Sequence, residues 1–439
     1  MKLRNIPFSP PDMTEAEAKE VREAILSGWI TTGPRTKKLE QQISEYVHTD
    51  KTVCLNSATA ALEMVLHLLD IQPDDEVIVP AYTYTATASV TQHVGCKLVL
   101  VDSQKDNVEM DYDKLAAAIT EKTKVICPVD LGGIVADYDR VFEIVEAKKG
   151  LFKPNNALQA KIGRIVVSAD CAHSFGAWRE VTQKAQKSQK MMAGAIADFS
   201  SFSFHAVKNF TTAEGGALTW NLPFGNEAVS TDVDYMPTVP KKEGETWNEM
   251  LYRISQLFSL HGQNKDALAK TKLGAWEYDI IGPWYKCNMT DIMAALGLVQ
   301  MERYPQMMKR RYEMVKRYNE AIDDLNANLD ADHQVRYLNH KSDDHCGSHH
   351  LYIVRLTGRT REEASRVIEK MAERGIACNV HYKPLPMMTA YKSLGFDIKD
   401  YPNAYHLFEN EVTLPLHTKL TDEDVEYVIT NFVEIVRGL

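Results

Sequence analysis

Cysteine is scarce in this chain: seven in 439 residues, an odd number, scattered and without a CxxC pair. That excludes a disulfide framework and a paired-thiolate zinc or thiol-exchange site, so no metal is expected and the thiols read as reduced, in a cytoplasmic protein. Also missing is any uninterrupted apolar run near the roughly 20 residues that cross a bilayer. The opening MKLRNIPFSPPDMTEAEAKE has no apolar stretch after its basic residues either, so neither a signal peptide nor a membrane partner is expected. A basic excess is absent: 50 Lys and Arg stand against 60 Asp and Glu, a formal charge of −10. A protein built to grip nucleic acid needs a basic face, so no nucleic-acid partner is expected. The glycine fingerprint of a nicotinamide-binding fold is missing too, because NSATAA follows the first strand pattern and Gly132-Gly133 in DLGGIVAD lacks the GxGxxG spacing. No internal repeat or low-complexity tract is evident.

What is present is an ordinary globular balance, 44% hydrophobic and 25% charged, with length for two or three domains. From Thr52, short β-rich runs alternate with helical patterns: TVCLN then ATAALEMVLHLL, EVIVP then TATASVTQHV, LVLVD then MDYDKLAAAIT, VICPVD then ADYDRVFEIVEAKKG. RIVVSAD, ADFSSFSF and ALTW follow. This alternation predicts an α/β fold with a mostly parallel sheet whose ligand chemistry collects just after Leu55, Pro80, Ser168 and Phe204. Beyond Trp220 the pattern weakens, and a long helix starts near Thr290 and runs through NEAI as a connector. The tail reads HHLYIVRL, REEASRVIEKMAERG, ACNVHY and DEDVEYVITNFVEIVRG, a smaller α/β unit. The expected division is a large domain over 1–300, N-terminal segment included, and a small C-terminal domain over 301–439. The basic, polar REVTQKAQKSQKM reads as a solvated insertion.

Four groups sit at predicted strand ends. Lys208, in SFSFHAVKNFTTAEGG, is either a surface lysine or an amine held in a low-dielectric pocket, where it becomes nucleophilic. Asp170 closes RIVVSAD, where a carboxylate either meets a positive partner or caps the following helix. His173 lies three residues on, flanking a ligand or simply packing. Ser57, Ala58 and Thr59, at a strand-to-helix junction, suit a phosphate through free N–H groups and hydroxyls, and equally suit plain capping. Ser203, five residues before Lys208, adds a hydroxyl. Tyr84, in VPAYTYTATA, lies over a ligand ring or belongs to the core. An amine, an acid, a phosphate cradle and an aromatic face are what pyridoxal 5'-phosphate (PLP) requires. In the small domain, His381 and Tyr382 of NVHYKPL could reach a substrate, although a histidine at a strand end is as readily structural.

The motifs IPFSPPDMTEAEAKEVREAILSGWITTGP, NSATAAL, PAYTYTATASV, DCAHSFGA, FSFHAVKNFTTAEGGAL, NMTDIMAALGL, NVHYKPL and TLPLHTKLTDEDV, in this order, resemble the DegT/DnrJ (StrS) family of PLP-dependent nucleotide-sugar aminotransferases nearly end to end. The resemblance implies an aspartate-aminotransferase-like fold (PLP fold type I). It implies that Lys208 bonds the cofactor, that Asp170 meets its pyridinium nitrogen, and that His173 lies near its ring hydroxyl. Ser57, Ala58, Thr59 and Ser203 match phosphate-binding positions and Tyr84 the stacking aromatic. It also implies a homodimer with shared active sites, Lys286 in YKCNMTD falling where a residue crosses to the partner. Departures are Ala58 for a usual glycine, Ala169 for a frequent Glu, Lys286 for a usual Asn, Asn288 for a frequent Arg, and the insertion GLFKPNNALQAKIG, which could reshape a rim.

The implied reaction moves an amino group from an amino acid, L-glutamate, to a keto nucleotide-sugar, with Lys208 shuttling the proton; a UDP-linked 4-keto-6-deoxy sugar is the expected acceptor, in polysaccharide biosynthesis. A sugar dehydratase of the same family would carry His where Lys208 stands. A non-enzymatic sensor or scaffold on this fold would have lost Lys208 or Asp170.

Overall fold

The computed structural model describes residues 3–182, 188–264 and 277–439. In chain order its strands are β1 (Thr52–Leu55), β2 (Glu76–Pro80), β3 (Lys97–Val101), β4 (Thr123–Ile126), β5 (Val166–Asp170), β6 (Trp178–Val181), β7 (Gln189–Met192), β8 (Phe199–Ser203), β9 (Gly216–Trp220), β10 (Val335–Tyr337), β11 (His345–Cys346), β12 (Tyr352–Leu356) and β13 (Glu411–Leu414). The main sheet has the order β1-β9-β8-β5-β4-β2-β3. Strands β8, β5, β4, β2 and β3 are parallel to their neighbours, and β9 alone runs against the rest, between β1 and β8.

The near-continuous apolar runs of these strands are explained by burial on both faces, as in parallel sheets generally. Successive side chains point to opposite faces. Val77 and Val79 accordingly join one core with Leu55, Val166 and Leu218, while Ile78 joins another with Cys54, Val167 and Ala217. A helix layer covers each face. The helix Ala58–Leu68 begins where β1 ends, and Ser57 caps it by accepting from the Ala60 N–H at 3.1 Å. Ala58 is its first residue, and helical backbone carries a β-carbon without strain, so the departure from glycine at this position has no backbone cost.

The helix Asp291–Asn326 spans 36 residues through Pro305, as its sequence pattern predicts. Ala294, Leu298 and Tyr304 pack on the main sheet; Met314, Val315 and Tyr318 pack on a third core with Val354, Val367 and Phe432. That core covers the antiparallel sheet β10-β12-β13. Its helices Arg361–Glu373 and Asp422–Arg437 are fixed at their starts by capping boxes, Thr360 with Glu363 and Thr421 with Asp424. Arg311 of the long helix donates to the carbonyls of His349 (3.1 Å) and Leu416 (3.1 Å), clamping the segment that leads into β12.

Two expectations are corrected, that of a strand at ACNVHY and that of a rim at the insertion. ACNVHY is no strand: Ile376 and Asn379 make single bridges, to Ile6 and Thr413, and Glu411–Leu414 takes the third place in the small sheet. The solvated insertion REVTQKAQKSQKM is mostly exposed where described, and its ends form the antiparallel pair β6 and β7; residues 183–187 lie outside the described residues. The 150–163 insertion is remote from the functional rim. It forms the short helix Ala157–Ile162, and Asn156 and Gln159 donate to the carbonyls of Leu68 (3.1 Å) and Leu69 (2.6 Å). That is the far end of the helix started by Ser57, about 16 Å away at 1.5 Å per residue.

Gly216 shows how closely the sheet approaches the Ser57 cap: a β-carbon there would lie 2.4 Å from the Ser57 carbonyl carbon and 2.5 Å from the Ala58 nitrogen. Gly216→Ala is expected to destabilise the protein by about 1–3 kcal/mol through overpacking and to lower its thermal midpoint. Gly150→Ala, whose β-carbon meets nothing within 4 Å, is the control and should leave the midpoint in place.

Candidate active site

The ends of β1, β2, β5 and β8 open into one cavity of about 520 Å³, also lined by Asn379–Tyr382, beside the small sheet, and by Phe8. Every residue singled out in the sequence lines it except Lys286.

Asp170 is the last residue of β5, buried, with Oδ2 accepting from the Thr87 hydroxyl at 2.7 Å and Oδ1 from the Ala172 N–H at 3.0 Å. Thr83, just ahead of the helix Thr85–Val94, has its hydroxyl 3.0 Å from that of Thr87; because Thr87 gives its proton to Asp170, Thr83 donates to Thr87. Burial pushes the Asp170 carboxyl up, against the pull of those hydrogen bonds and of the Lys208 charge. Lys208 follows β8 in a tight turn, its N–H bonded to the His205 carbonyl at 2.9 Å. Although part of the residue is open, its amine is enclosed by protein, and burial lowers it to about 8 against an opposing pull from Asp170. Amine and carboxylate face one cavity with no ion pair joining them among the described residues.

His173 is buried and accepts at Nδ1 from the Gly132 N–H at 3.2 Å. Burial, and then the Lys208 charge, keep the ring neutral, so its proton sits on Nε2 and is donated to the Tyr382 hydroxyl at 3.2 Å. Tyr84 is 58% exposed, which removes it from the core; it caps the helix Thr85–Val94 and leans toward Tyr382 with ring centroids 5.8 Å apart. Ser57 and Ser203 are already engaged, Ser57 by the Ala60 N–H and Ser203 by the His205 N–H at 3.4 Å. Thr59 stands in the first turn of its helix, beside the free N–H groups of the start. His381 stacks on Phe8 at 5.5 Å. Lys286 is exposed, outside the cavity, its amine donating to the Asn288 side chain.

Sequence reasoning missed Thr87, although its spacing from Thr83 in YTYTATA was a usable signal. It also missed His350 and Asn209. His350 is buried, 4.5 Å from His173 ring to ring, and 2.9 Å from the Asn209 side-chain oxygen. HCGSHH has no periodicity that would bring it here.

An α/β fold with this sheet, this strand-end cavity and a buried lysine facing a buried carboxylate defines a PLP fold-type-I enzyme. Residues 11–433 match the DegT/DnrJ/EryC1/StrS aminotransferase family. The chain belongs to that family and is an aminotransferase, an activity whose amino-group carrier is PLP. It is similar to the "putative sugar aminotransferase Spr1654" of Streptococcus pneumoniae, solved in apo, PLP and PMP forms. The PLP form is 51% identical, with a TM-score of 0.86 over 99% of both chains. Spore coat polysaccharide biosynthesis protein SpsC of Bacillus subtilis is 32% identical over 99% of this chain and 97% of its own. Helicobacter pylori PseC, 24% identical with a TM-score of 0.78 over 99% of this chain and all of its own, shares the fold.

The Lys208 amine is expected to titrate near 8, with an ordinary lysine titrating near 10.5. Reductive methylation of the apoprotein, read by peptide mass spectrometry, should show labelling of Lys208 rising about fivefold from pH 7 to 8 and less than twofold from 8 to 9. Exposed lysines should keep rising about tenfold per pH unit over this range.

Proposed function

We propose that the chain transfers an amino group from L-glutamate to a keto nucleotide-sugar, a UDP-linked 4-keto-6-deoxy sugar, with Lys208 as the bonding and proton-moving amine. The observation that carries this reading is the separated pair: an enclosed amine lowered to about 8 and a buried carboxylate in one cavity, with no ion pair between them. The residues fit PLP. Asp170 has a carboxylate to offer a pyridinium N–H, and Thr59 stands with the N–H groups of a helix start for a phosphate. Ser57, Ala58 and Ser203 complete that cradle, Tyr84 is open to lie over a ring, and His173 closes the other side. When bound, PLP supplies an electron sink at the carbon bearing the amino group. Lys208 then takes and returns the proton at that carbon, for which a neutral amine near physiological pH is suited. Asp170, made costly by burial, is stabilised by a positive partner and keeps it protonated. His381 and Tyr382 are placed to meet the sugar.

The reading of the acceptor rests on the family resemblance and on a relative named for polysaccharide biosynthesis. The long helix packs on one core up to Met308 and on another from Met314, which supports two domains joined along it, for which the proposed division is 1–300 and 301–439. Incubation with UDP-, dTDP- and GDP-linked keto sugars plus L-glutamate should yield the aminated UDP sugar by mass spectrometry. Absence of amination of every sugar would sink the proposal. Asp170→Asn should keep its fold and slow the glutamate half-reaction on the order of 10²-fold or more. A near-normal rate would reduce Asp170 to a helix cap.

The shared site belongs to the same proposal. Lys286 lies with half-exposed Tyr278, Ile280 and Tyr285 on one segment, and an apolar surface of that kind favours burial against a second copy. A phosphate carries about two negative charges, which hydroxyls and amides leave formally uncompensated, so a lysine from the partner adds a charge-assisted bond. Mixing Lys208→Ala and Lys286→Ala subunits after denaturation and refolding should restore activity above either parent. A fully active monomer in sedimentation would overturn the shared site.

A further inference from the structure

We propose that Glu411 and Thr413 form a proton relay behind His381, and that the proton on Glu411 decides whether His381 Nε2 meets the sugar as a donor or as an acceptor. The consequence for the sugar rests on the function proposed above; the relay itself does not.

Both residues are on β13, two apart, so their side chains leave the same face of the small sheet. Asn379 and Thr413 exchange backbone hydrogen bonds of 3.0 and 2.8 Å, which brings the Asn379–His381 segment alongside that face. Three contacts then join at one histidine. The His381 N–H donates to Glu411 Oε2 at 3.0 Å, its ring Nδ1 is 2.9 Å from the Thr413 hydroxyl, and that hydroxyl bonds Glu411 Oε1. The Tyr82 hydroxyl holds the His381 carbonyl at 2.8 Å and Phe8 stacks on the ring, so the imidazole has little freedom to turn. No protein group among the described residues bonds Nε2, and His381 lines the cavity.

The direction of this chain follows from proton counting. The Thr413 hydroxyl has one hydrogen. With Glu411 ionised, Thr413 donates to the carboxylate and accepts from Nδ1–H; the neutral ring then presents a lone pair at Nε2. With Glu411 protonated, Oε1–H donates to Thr413 while Oε2 keeps the His381 N–H. Thr413 then turns its hydrogen to Nδ1, and the ring proton moves to Nε2, which faces the cavity as a donor. One proton on Glu411 reverses both Thr413 bonds, to Glu411 Oε1 and to His381 Nδ1, while the His381 N–H bond to Oε2 is unchanged.

The surroundings permit both states near neutrality. Glu411 and Thr413 are fully buried, and burial raises the carboxyl to about 8, opposed by the Thr413 and His381 hydrogen bonds and by the Arg361 charge. Arg361 bonds the carbonyls of Phe408 and Glu411, not the carboxylate. Arg355, opposite Glu411 on β12, is turned to Asp106 and Asn410. Tyr82, Tyr382 and Cys378 also face Glu411, and each is pushed up by burial and stays neutral. Lys208 is the cation facing His381 from the cavity side, and it helps keep the imidazole neutral after burial has lowered it to about 3.

The test reads the tautomer directly. In full-length protein with 15N-labelled histidine, with the His381 signals assigned by His381→Gln, the proton should move from Nε2 to Nδ1 as pH rises from 6 to 9.5. Glu411→Gln, whose amide oxygen keeps the His381 N–H and whose NH2 faces Thr413, should hold the proton on Nε2 throughout. Thr413→Val should abolish the pH response and Thr413→Ser should restore it. A wild-type tautomer that does not move, or a Glu411→Gln protein that follows wild type, overturns the relay. In kinetics, Glu411→Gln should leave the glutamate half-reaction unchanged and alter KM for the sugar at least threefold above pH 8. Unchanged KM with a moving tautomer confines the relay to the protein and overturns its role toward the sugar, whereas absence of the glutamate half-reaction in wild type would strike the aminotransferase reading and leave the relay standing.

Discussion

An amine and a carboxylate are enclosed in one cavity without touching each other, and most of the architecture serves to keep them so. An ionisable group taken out of water costs several kcal/mol unless it is paired. For Lys208, lowering from the ordinary 10.5 to about 8 corresponds to about 3 kcal/mol of lost stability. The sign is that of a depressed lysine: the penalty is full below pH 8, where both folded and unfolded chains hold the proton, and fades as pH rises toward 10.5. Asp170 bears a penalty of opposite charge and the same origin. A direct ion pair would offset both. The fold withholds it, and both groups line the same cavity.

The withholding is done by elements that cannot easily give way. Asp170 ends a strand whose five residues are all buried, so the carboxylate cannot move toward Lys208 without dragging the sheet. Thr87, in the first turn of its helix, and Thr83, just ahead of the helix start, tie it from the other side. Lys208 is set by the turn between β8 and β9, and β9 passes so close to the Ser57 cap that only glycine fits at 216. Its neighbour Asn209 donates to the Ser348 carbonyl at 2.7 Å, joining the lysine turn to the segment clamped by Arg311. The lysine turn is thereby tied to the segment leading into β12 and to the long helix.

The sequence made the main sheet legible because each strand is a short apolar run bounded by polar turns, and burial on both faces leaves no other reading of EVIVP or RIVVSA. Lys208, Asp170, Tyr84 and the Ser57 cap were legible for a related reason: chemistry in such folds collects where strands end. What escaped was tertiary. ACNVHY has the composition of a strand, but Asn379 within it and Ile376 just before it make single bridges to different partners and no ladder forms. Thr87, His350, Glu411 and Thr413 reach the site, or the residues lining it, from helix, loop and strand interiors, where nothing local separates a functional side chain from a packed one. The insertion illustrates the converse, since a break in a familiar pattern draws attention while its asparagines merely cap the distant end of a helix.

The charge inside the cavity limits what the site can do alone. Among the described lining residues Lys208 is the only lysine or arginine, and its charge faces Asp170. His173, His350 and His381 are all held neutral by burial, so they read a ligand by hydrogen-bond direction and not by charge. A keto sugar suits such walls, because its hydroxyls and carbonyl ask for donors and acceptors in fixed places. Phosphates do not: neutral imidazoles cannot compensate several negative charges, and among the described lining residues Lys208 is the one lysine or arginine. A ligand that carries both parts must place its sugar among the histidines and its phosphates where cations can be supplied from beyond the cavity wall. Among the described lining residues of one chain that supply is not present beyond Lys208, which is the physical ground on which the proposed shared site rests.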